Sequence, residues 1–140
     1  MQKLAIHPLA DSTSFAIAVD GVVQAGFPSP ANDHMETPLN LHDLMVSNPP
    51  ATFFVRVSGD SMLDARIEPG DILVVDRSLE PSSGKIVVAI LNGEFTVKRI
   101  RMEGGKITLL PENPDFPEIP VEEGSDFQVW GVVTYIVHKP

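Results

Sequence analysis

The sequence contains no cysteine among its 140 residues, and it has a single tryptophan and a single tyrosine. Without cysteine the chain has no disulfide, no thiol nucleophile and no Cys/His zinc site, which is typical of cytoplasmic proteins. No apolar run approaches the roughly 18 residues that a membrane-spanning helix needs. The apolar stretch at 15–19 is also too short for a signal peptide. We therefore expect a cytoplasmic protein with no membrane contact, no metal and no other cofactor.

Positive charge is scarce, since ten Lys and Arg residues stand against 19 Asp and Glu residues and give a net charge of −9. A protein that grips nucleic acid through its phosphates presents a basic surface, and no basic stripe emerges in this sequence. We therefore expect no strong direct binding of nucleic acid, and any link to DNA to run through a protein partner. The length fits one domain with a sizeable core plus a short arm.

From residue 51 onward the pattern predicts a mostly β fold. Strands are expected at 52–57, 72–75, 85–91, 95–98, 107–110 and 127–137, with a bulge at Gly131 and a proline-rich loop at 111–120. Asn92-Gly93 and Gly104-Gly105 mark two hairpins. Before them the sequence predicts a strand at 14–19 and one short helix at 40–47, with Asn40 as its cap and Leu41, Leu44 and Met45 as its packed side. Together these elements predict a compact antiparallel sheet, closed or folded on itself like a barrel.

A serine and a lysine are the candidates for chemistry. Ser61 follows a predicted strand and stands behind Gly59, which permits a tight turn that exposes a hydroxyl. The four histidines are scattered, so Lys98, in the β-rich segment 95–99, is the better candidate to activate it. A lysine is a base only when neutral, and burial lowers its pKa enough for that role. These residues alone still favour the plainer interpretation of a polar turn and a solvated lysine on a strand.

Ala25-Gly26 is the second feature that bears on function. These small residues follow Val22-Val23 and precede Pro28-Ser29-Pro30, which favours an extended and exposed backbone. Such a segment fits a strand lying in a protease groove. It equally fits a linker, and in isolation the linker is the favoured interpretation.

Several motifs then point to one family. Ser-Gly-Asp-Ser-Met at 58–62, Gly-Asp at 70–71 before Ile-Leu-Val-Val, and Gly-Glu-Phe-Thr-Val-Lys at 93–98 resemble the self-cleaving serine peptidases of the LexA and UmuD type. Gln-Ala-Gly-Phe-Pro-Ser-Pro-Ala at 24–31 resembles the cleavage region of the UmuD branch. The resemblance runs over about residues 20–137, with the motifs in the right order at matching intervals. It therefore overturns the plainer interpretations of each piece.

The resemblance implies a role for each candidate residue. Ser61 is the nucleophile, Lys98 the general base, and Ala25-Gly26 the bond that is cut, while backbone N–H groups around Ser61 stabilise the oxyanion. Thr96 is expected to hydrogen-bond the Lys98 amine. The UmuD branch commonly has Cys-Gly at its cleavage site, and the Ala-Gly found here matches the LexA-like type. The resemblance divides the chain into an N-terminal arm at 1–30, which holds the cleavage site, and a Ser-Lys peptidase domain with the LexA C-terminal-domain fold at 31–140.

The resemblance also implies partners. The UmuD branch supplies accessory subunits of error-prone translesion polymerases in the SOS response to DNA damage, and its members form homodimers. Self-cleavage is stimulated by the RecA filament on single-stranded DNA, and the trimmed form joins a UmuC-type polymerase subunit. Only 25 residues precede Gly26, so we expect no helix-turn-helix domain. The rival interpretations are a non-cleaving adaptor of the same fold, a signal-peptidase-like enzyme and a LexA-like repressor fragment.

Overall fold

The computed structural model describes residues 4–8, 16–20, 25, 26, 28 and 35–140. These residues form ten β-strands, one α-helix and two single 3₁₀ turns. The strands are β1 Leu4–Pro8, β2 Ala16–Asp20, β3 Met35–Leu39, β4 Thr52–Val57, β5 Ile72–Asp76, β6 Ile86–Leu91, β7 Glu94–Glu103, β8 Lys106–Leu110, β9 Ile119–Pro120 and β10 Phe127–Val137. The helix is α1 Leu41–Met45, and the 3₁₀ turns are Pro49–Ala51 and Leu63–Ala65.

The chain divides into two units, Met1–Leu9 with Asn48–Pro140, and Ala10–Ser47. The first unit holds an eight-stranded sheet in the order β1-β4-β5-β10-β6-β7-β8-β9, and every neighbouring pair in it is antiparallel. The second unit holds an antiparallel pair of β2 with β3, together with α1. The predicted fold class, mostly β with an antiparallel sheet and one short helix, is confirmed.

Two hydrophobic clusters stabilise the sheet, and β6 contributes to both. Val88 belongs to the cluster built around Val55, Met62 and Val97, whereas its neighbours Val87 and Ala89 belong to the other cluster. Because successive side chains of a strand point to opposite faces, both faces of β6 are buried. This explains why residues 86–91 are continuously apolar in the sequence.

The two predicted hairpin turns and the predicted bulge are present in the structure. Asn92 and Gly93 have φ angles of +50° and +83°, and Gly104 and Gly105 have φ angles of +58° and +76°, as expected for tight hairpin turns. The register between β10 and β6 shifts at Gly131, so the predicted bulge is confirmed. A Cβ atom at Gly131 would lie 2.5 Å from Val75 Cγ1, so this position has no room for a side chain.

The structure differs from the expectations in the packing of α1 and in three of the strands. Asn40 caps α1 through Oδ1, which accepts from the His42 amide at 3.0 Å, but Leu41 and Leu44 are 52% and 49% exposed. Their predicted packing is therefore wrong, because periodicity indicates which residues share a face and not whether anything covers that face. Strands β1 and β3 were not predicted, and β9 lies within the predicted loop; all three are short and pair with strands elsewhere in the sequence. Among the described residues, no helix has the length and apolarity to cross a membrane.

Candidate active site

Ser61 lies on a turn that leaves the sheet at the end of β4. The strand ends at Val57, and Gly59, with a φ angle of +95°, reverses the backbone. Ser61 is only 2% exposed, and the next residue, Met62, is fully buried in the first core cluster. Because Met62 is embedded in the core, the backbone of its neighbour Ser61 is held in one position.

Strand β7 brings Lys98 to this turn. Lys98 is 5% exposed, and its Nζ atom lies 3.0 Å from Ser61 Oγ, 2.7 Å from Thr96 Oγ1 and 3.1 Å from the Val97 carbonyl oxygen. Thr96 and Lys98 share one face of β7 because they are two residues apart. The expected hydrogen bond between Thr96 and Lys98 is therefore present. The alternative of a solvated lysine is wrong.

Burial lowers the pKa of Lys98 from 10.5 to about 8, because desolvation disfavours the charged ammonium. Within the described residues no carboxylate lies within ion-pair distance of Lys98 to oppose this effect. At pH 7 a pKa near 8 leaves roughly one lysine in ten neutral, against roughly one in a few thousand for an exposed lysine. Burial therefore supplies a usable population of the free base.

The three partners of Lys98 Nζ suit both protonation states. The ammonium donates three hydrogen bonds, to Ser61 Oγ, Thr96 Oγ1 and the Val97 carbonyl. A neutral amine has two N–H donors and one lone pair. It can donate to Thr96 and the Val97 carbonyl while its lone pair accepts from the Ser61 hydroxyl. The geometry thus allows Lys98 to take the proton of Ser61 without moving.

A loop after β8 holds the serine turn from outside. The Glu112 amide donates to the Ser61 carbonyl at 2.9 Å, and the Glu112 carbonyl accepts from the Asp64 amide at 2.7 Å. Asn113 Nδ2 donates to the Asp60 carbonyl at 2.8 Å. The Glu112 carboxylate also forms an ion pair with Arg99, the residue after Lys98. Glu112 and Asn113, which we call the clamp, therefore connect the turn that carries Ser61 with the strand that carries Lys98.

Sequence reasoning missed the clamp residues. Residues 111–120 were interpreted only as a proline-rich loop, which describes the backbone but not the polar side chains it carries. No local pattern distinguishes Glu112 or Asn113 from an ordinary exposed loop residue, since their partners lie far away in the sequence.

A cavity of about 370 Å³ opens beside the serine. It is lined by Gly59, Asp60, Ser61, Thr96, Lys98, Phe116, Pro117 and Ile119. Its polar side carries the two reactive groups, and its other wall is apolar. Such a cavity suits a short peptide segment with small or apolar side chains.

Ala25 and Gly26 belong to the second unit. Both are exposed and form a turn, in which Gly26 has a φ angle of +88°. An extended strand was considered for this segment, and these two residues do not adopt one. Most of the neighbouring residues, including Val22 and Val23, lie outside the described residues. The role of Ala25-Gly26 as the cleavage site stays a prediction.

The described His, Asp and Glu residues were also considered as metal ligands. In the part of the chain that the structure describes, no group of three or more His, Asp or Glu side chains is arranged to hold a metal ion. His138, the histidine nearest the C-terminus, instead contacts Asp71 with its Nδ1 atom at 2.7 Å. This contact and the acidic Glu68 nearby raise the pKa of His138.

Burial of Lys98 has a measurable effect on stability. Its native pKa of about 8 lies below 10.5, so the unfolded chain binds a proton that the native chain lacks between these values, and the free energy of unfolding rises with pH across that window. Below pH 8 the buried charge costs about 3 kcal/mol. We expect Lys98→Met to raise the free energy of unfolding at pH 7 by about 1–3 kcal/mol, and this gain to shrink towards pH 10.5.

Urea denaturation at pH 7 and pH 10, with Ser61→Ala in every chain compared so that none is cut, measures this effect. Lys106→Met is the matched control, because Lys106 is exposed on β8 and its replacement should leave stability within about 0.5 kcal/mol. A Lys98→Met variant that is no more stable than the parent at pH 7 would contradict the assigned desolvation.

Comparison of the sequence with known proteins places the chain in a family. The family model described as Peptidase S24-like matches residues 18–134. Protein MucA of Salmonella typhimurium is 50% identical over 114 residues, covering 81% of this chain and 77% of MucA, and protein SamA of Salmonella typhimurium strain LT2 is 48% identical over 115 residues, covering 82% and 79%. The LexA repressor of Cupriavidus taiwanensis is 39% identical over 132 residues, covering 94% of this chain and 60% of the repressor. The resemblance to peptidases of the LexA and UmuD type is thus confirmed, and the chain belongs to the Peptidase S24-like family.

Proposed function

We propose that this protein is a self-cleaving serine peptidase that serves as the accessory subunit of an error-prone translesion polymerase in the SOS response. It cuts its own chain between Ala25 and Gly26, with Ser61 as nucleophile and Lys98 as general base. The observation that carries the proposal is the buried contact of 3.0 Å between Lys98 Nζ and Ser61 Oγ, in a cavity on a family peptidase fold.

In the first step neutral Lys98 accepts the Ser61 proton while Oγ attacks the carbonyl carbon of Ala25. The tetrahedral intermediate collapses when the Lys98 ammonium returns this proton to the nitrogen of Gly26, which leaves as a free amine. Residues 1–25 are then held as an ester on Ser61. Water attacks that ester with Lys98 again as base, which restores the hydroxyl and releases the Ala25 carboxylate.

Backbone donors are available for the oxyanion. The amides of Gly59, Asp60 and Ser61 donate to no acceptor among the described residues, although all three residues line the cavity. Gly59 and Asp60 are exposed, so their amides remain available to donate to an oxyanion that forms in the cavity. Thr96 and the Val97 carbonyl hold the amine in position throughout.

Attachment of the arm to the domain makes the attack effectively intramolecular, where good alignment contributes about 7–11 kcal/mol to lowering the barrier. The rate is then set by how often residues 25–26 occupy the cavity and how often Lys98 is neutral. A RecA filament on single-stranded DNA need not supply a catalytic group. It only has to bind the docked conformation better than the undocked one.

The proposed partners are a second copy of the chain and, after trimming, a UmuC-type polymerase subunit. Tyr135, Ile136 and Val137 at the end of β10 are 39%, 36% and 42% exposed. Three exposed apolar residues in succession favour contact with another copy. The high identity to MucA and SamA supports placing this chain in the UmuD branch of the family.

A substitution at Gly26 tests the assigned bond. We expect Gly26→Val to lower the cleavage rate by at least about 100-fold, because a branched side chain next to the bond crowds the leaving amine and hinders its alignment with Ser61. Intact mass over time is the measurement. Gly124→Val is the matched control, since Gly124 also has a positive φ of +87° and lies in open space away from the cavity lining. Normal cutting of Gly26→Val would assign the cleavage to another bond.

A further inference from the structure

Strand β1 is the edge of the eight-stranded sheet, although it lies at the start of the chain. It pairs antiparallel with β4 along its whole length, from Leu4 opposite Val57 to Pro8 opposite Phe53. Ile6 lies opposite Val55 and packs against the first core cluster, while Ala5, His7 and Pro8 are exposed. Among the side chains of β1 that the structure describes, Ile6 makes the core contact, and it holds β1 in place together with a ladder of backbone hydrogen bonds.

The strand beneath it is suited to pairing. β4 has the sequence Thr-Phe-Phe-Val-Arg-Val, which contains no proline and is rich in β-branched and aromatic residues. Its Val55 is fully buried and its Val57 is 2% exposed while β1 is present. The five-residue β1, in contrast, is short and ends in Pro8, features that prevent a sheet from growing further. Loss of β1 would expose an edge that lacks such protection.

The proposed cut lies at the position that would release β1. Ala25-Gly26 falls in the chain between β2 and β3, which pair antiparallel in the second unit. Cutting there converts the pairings of β1 and β2 from intramolecular to intermolecular and removes an effective concentration of the order of millimolar. A two-stranded pair is marginally stable even when its ends are joined. Residues 1–25 are therefore expected to dissociate once the bond is broken.

We propose that the free edge of β4 is a docking site for an extended strand of a partner protein, and that β1 occupies this site until cleavage removes it. This inference rests on the proposed function, because it takes Ala25-Gly26 as the bond that is cut. The partner strand runs antiparallel to β4 and places one branched apolar residue opposite Val55, where Ile6 lies in the uncut chain. Strand addition of this kind derives affinity from the backbone and specificity from alternate side chains.

The test uses the full-length Ser61→Ala chain with a recognition sequence for an added endopeptidase inserted between Ala25 and Gly26. The added enzyme makes the cut, so the result does not depend on self-cleavage. After cutting, we expect the N-terminal fragment to separate on size exclusion and the β4 amides that face β1 to exchange at least about tenfold faster. Exchange in β6, at the middle of the sheet, should stay unchanged and report an intact domain.

Docking is then probed with a fluorescent peptide of residues 2–10. We expect this peptide to bind the cut chain and not the uncut chain, and the same peptide with Ile6→Asp to bind at least about tenfold more weakly. The inference is overturned if the fragment stays bound, if β4 remains protected, or if the peptide binds both forms equally. Loss of protection in β6 would make β1 a structural strand, and a rise in subunit number on cutting would make a second copy the occupant. Failure of the wild-type chain to cut itself would contradict the proposed function alone.

Discussion

Replacing Ser61 with alanine is expected to leave the chain at full length under every condition in which the wild-type chain is cut. In the proposed mechanism the Ser61 hydroxyl attacks, and Thr96 supplies the one other hydroxyl among the described residues that line the cavity. Thr96 already forms a hydrogen bond with Lys98. Removing a serine nucleophile typically lowers a peptidase rate by about 10⁴-fold or more, which places residual cutting below detection. Intact mass spectrometry over a time course measures the effect.

Ser58 provides the matched control for this experiment. It lies on the same turn three residues earlier, it is exposed, and it does not line the cavity. Ser58→Ala should therefore keep at least about half of the wild-type rate. Cutting of the Ser61→Ala chain at Ala25-Gly26 at the wild-type rate would remove Ser61 from the mechanism.

The rate of self-cleavage is expected to follow the titration of Lys98. With a pKa of about 8, the neutral fraction rises about tenfold between pH 6 and pH 7 and levels off above about pH 9. The cleavage rate rises with pH because Lys98 acts as a base only after it has lost its proton. A rate measured by intact mass from pH 6 to pH 10 should therefore rise and then level off.

Two substitutions separate basicity from charge. Lys98→Arg keeps a positive charge but cannot lose its proton in this range, so we expect no cleavage at any pH. Lys98→Ala removes both properties and should be equally inactive. A rate that falls with rising pH, or an active Lys98→Arg chain, would assign the proton transfer to a different group.

Much of the fold follows from local features of the sequence. The bounds of β4 and β10 match the predicted strands, and the two glycine-containing hairpins lie where expected, because turn chemistry and strand propensity act over a few residues. The same holds for the cap at Asn40, whose partners are two and three residues away. Local rules could not predict β1, because it pairs with β4, which lies more than 40 residues away in the sequence.

The site could be predicted in part for a similar reason. Ser61 and Lys98 were found through motifs, but their spacing of 37 residues gives no information about the burial that lowers the pKa of the lysine. That burial is a property of the assembled sheet, in which Lys98 lies on β7. Leu41 and Leu44 show the same limit, because the sequence of a helix predicts an apolar face but not whether another part of the chain covers it.

The most direct test of the account is the intact mass of freshly purified full-length protein over time at pH 7 and pH 9, with and without RecA filaments on single-stranded DNA. The account predicts fragments of 25 and 115 residues from the 140-residue chain, formed faster at pH 9 and absent in the Ser61→Ala variant. A chain that stays intact at both pH values, even with the filament, would contradict self-cleavage and favour a non-cleaving adaptor of the same fold.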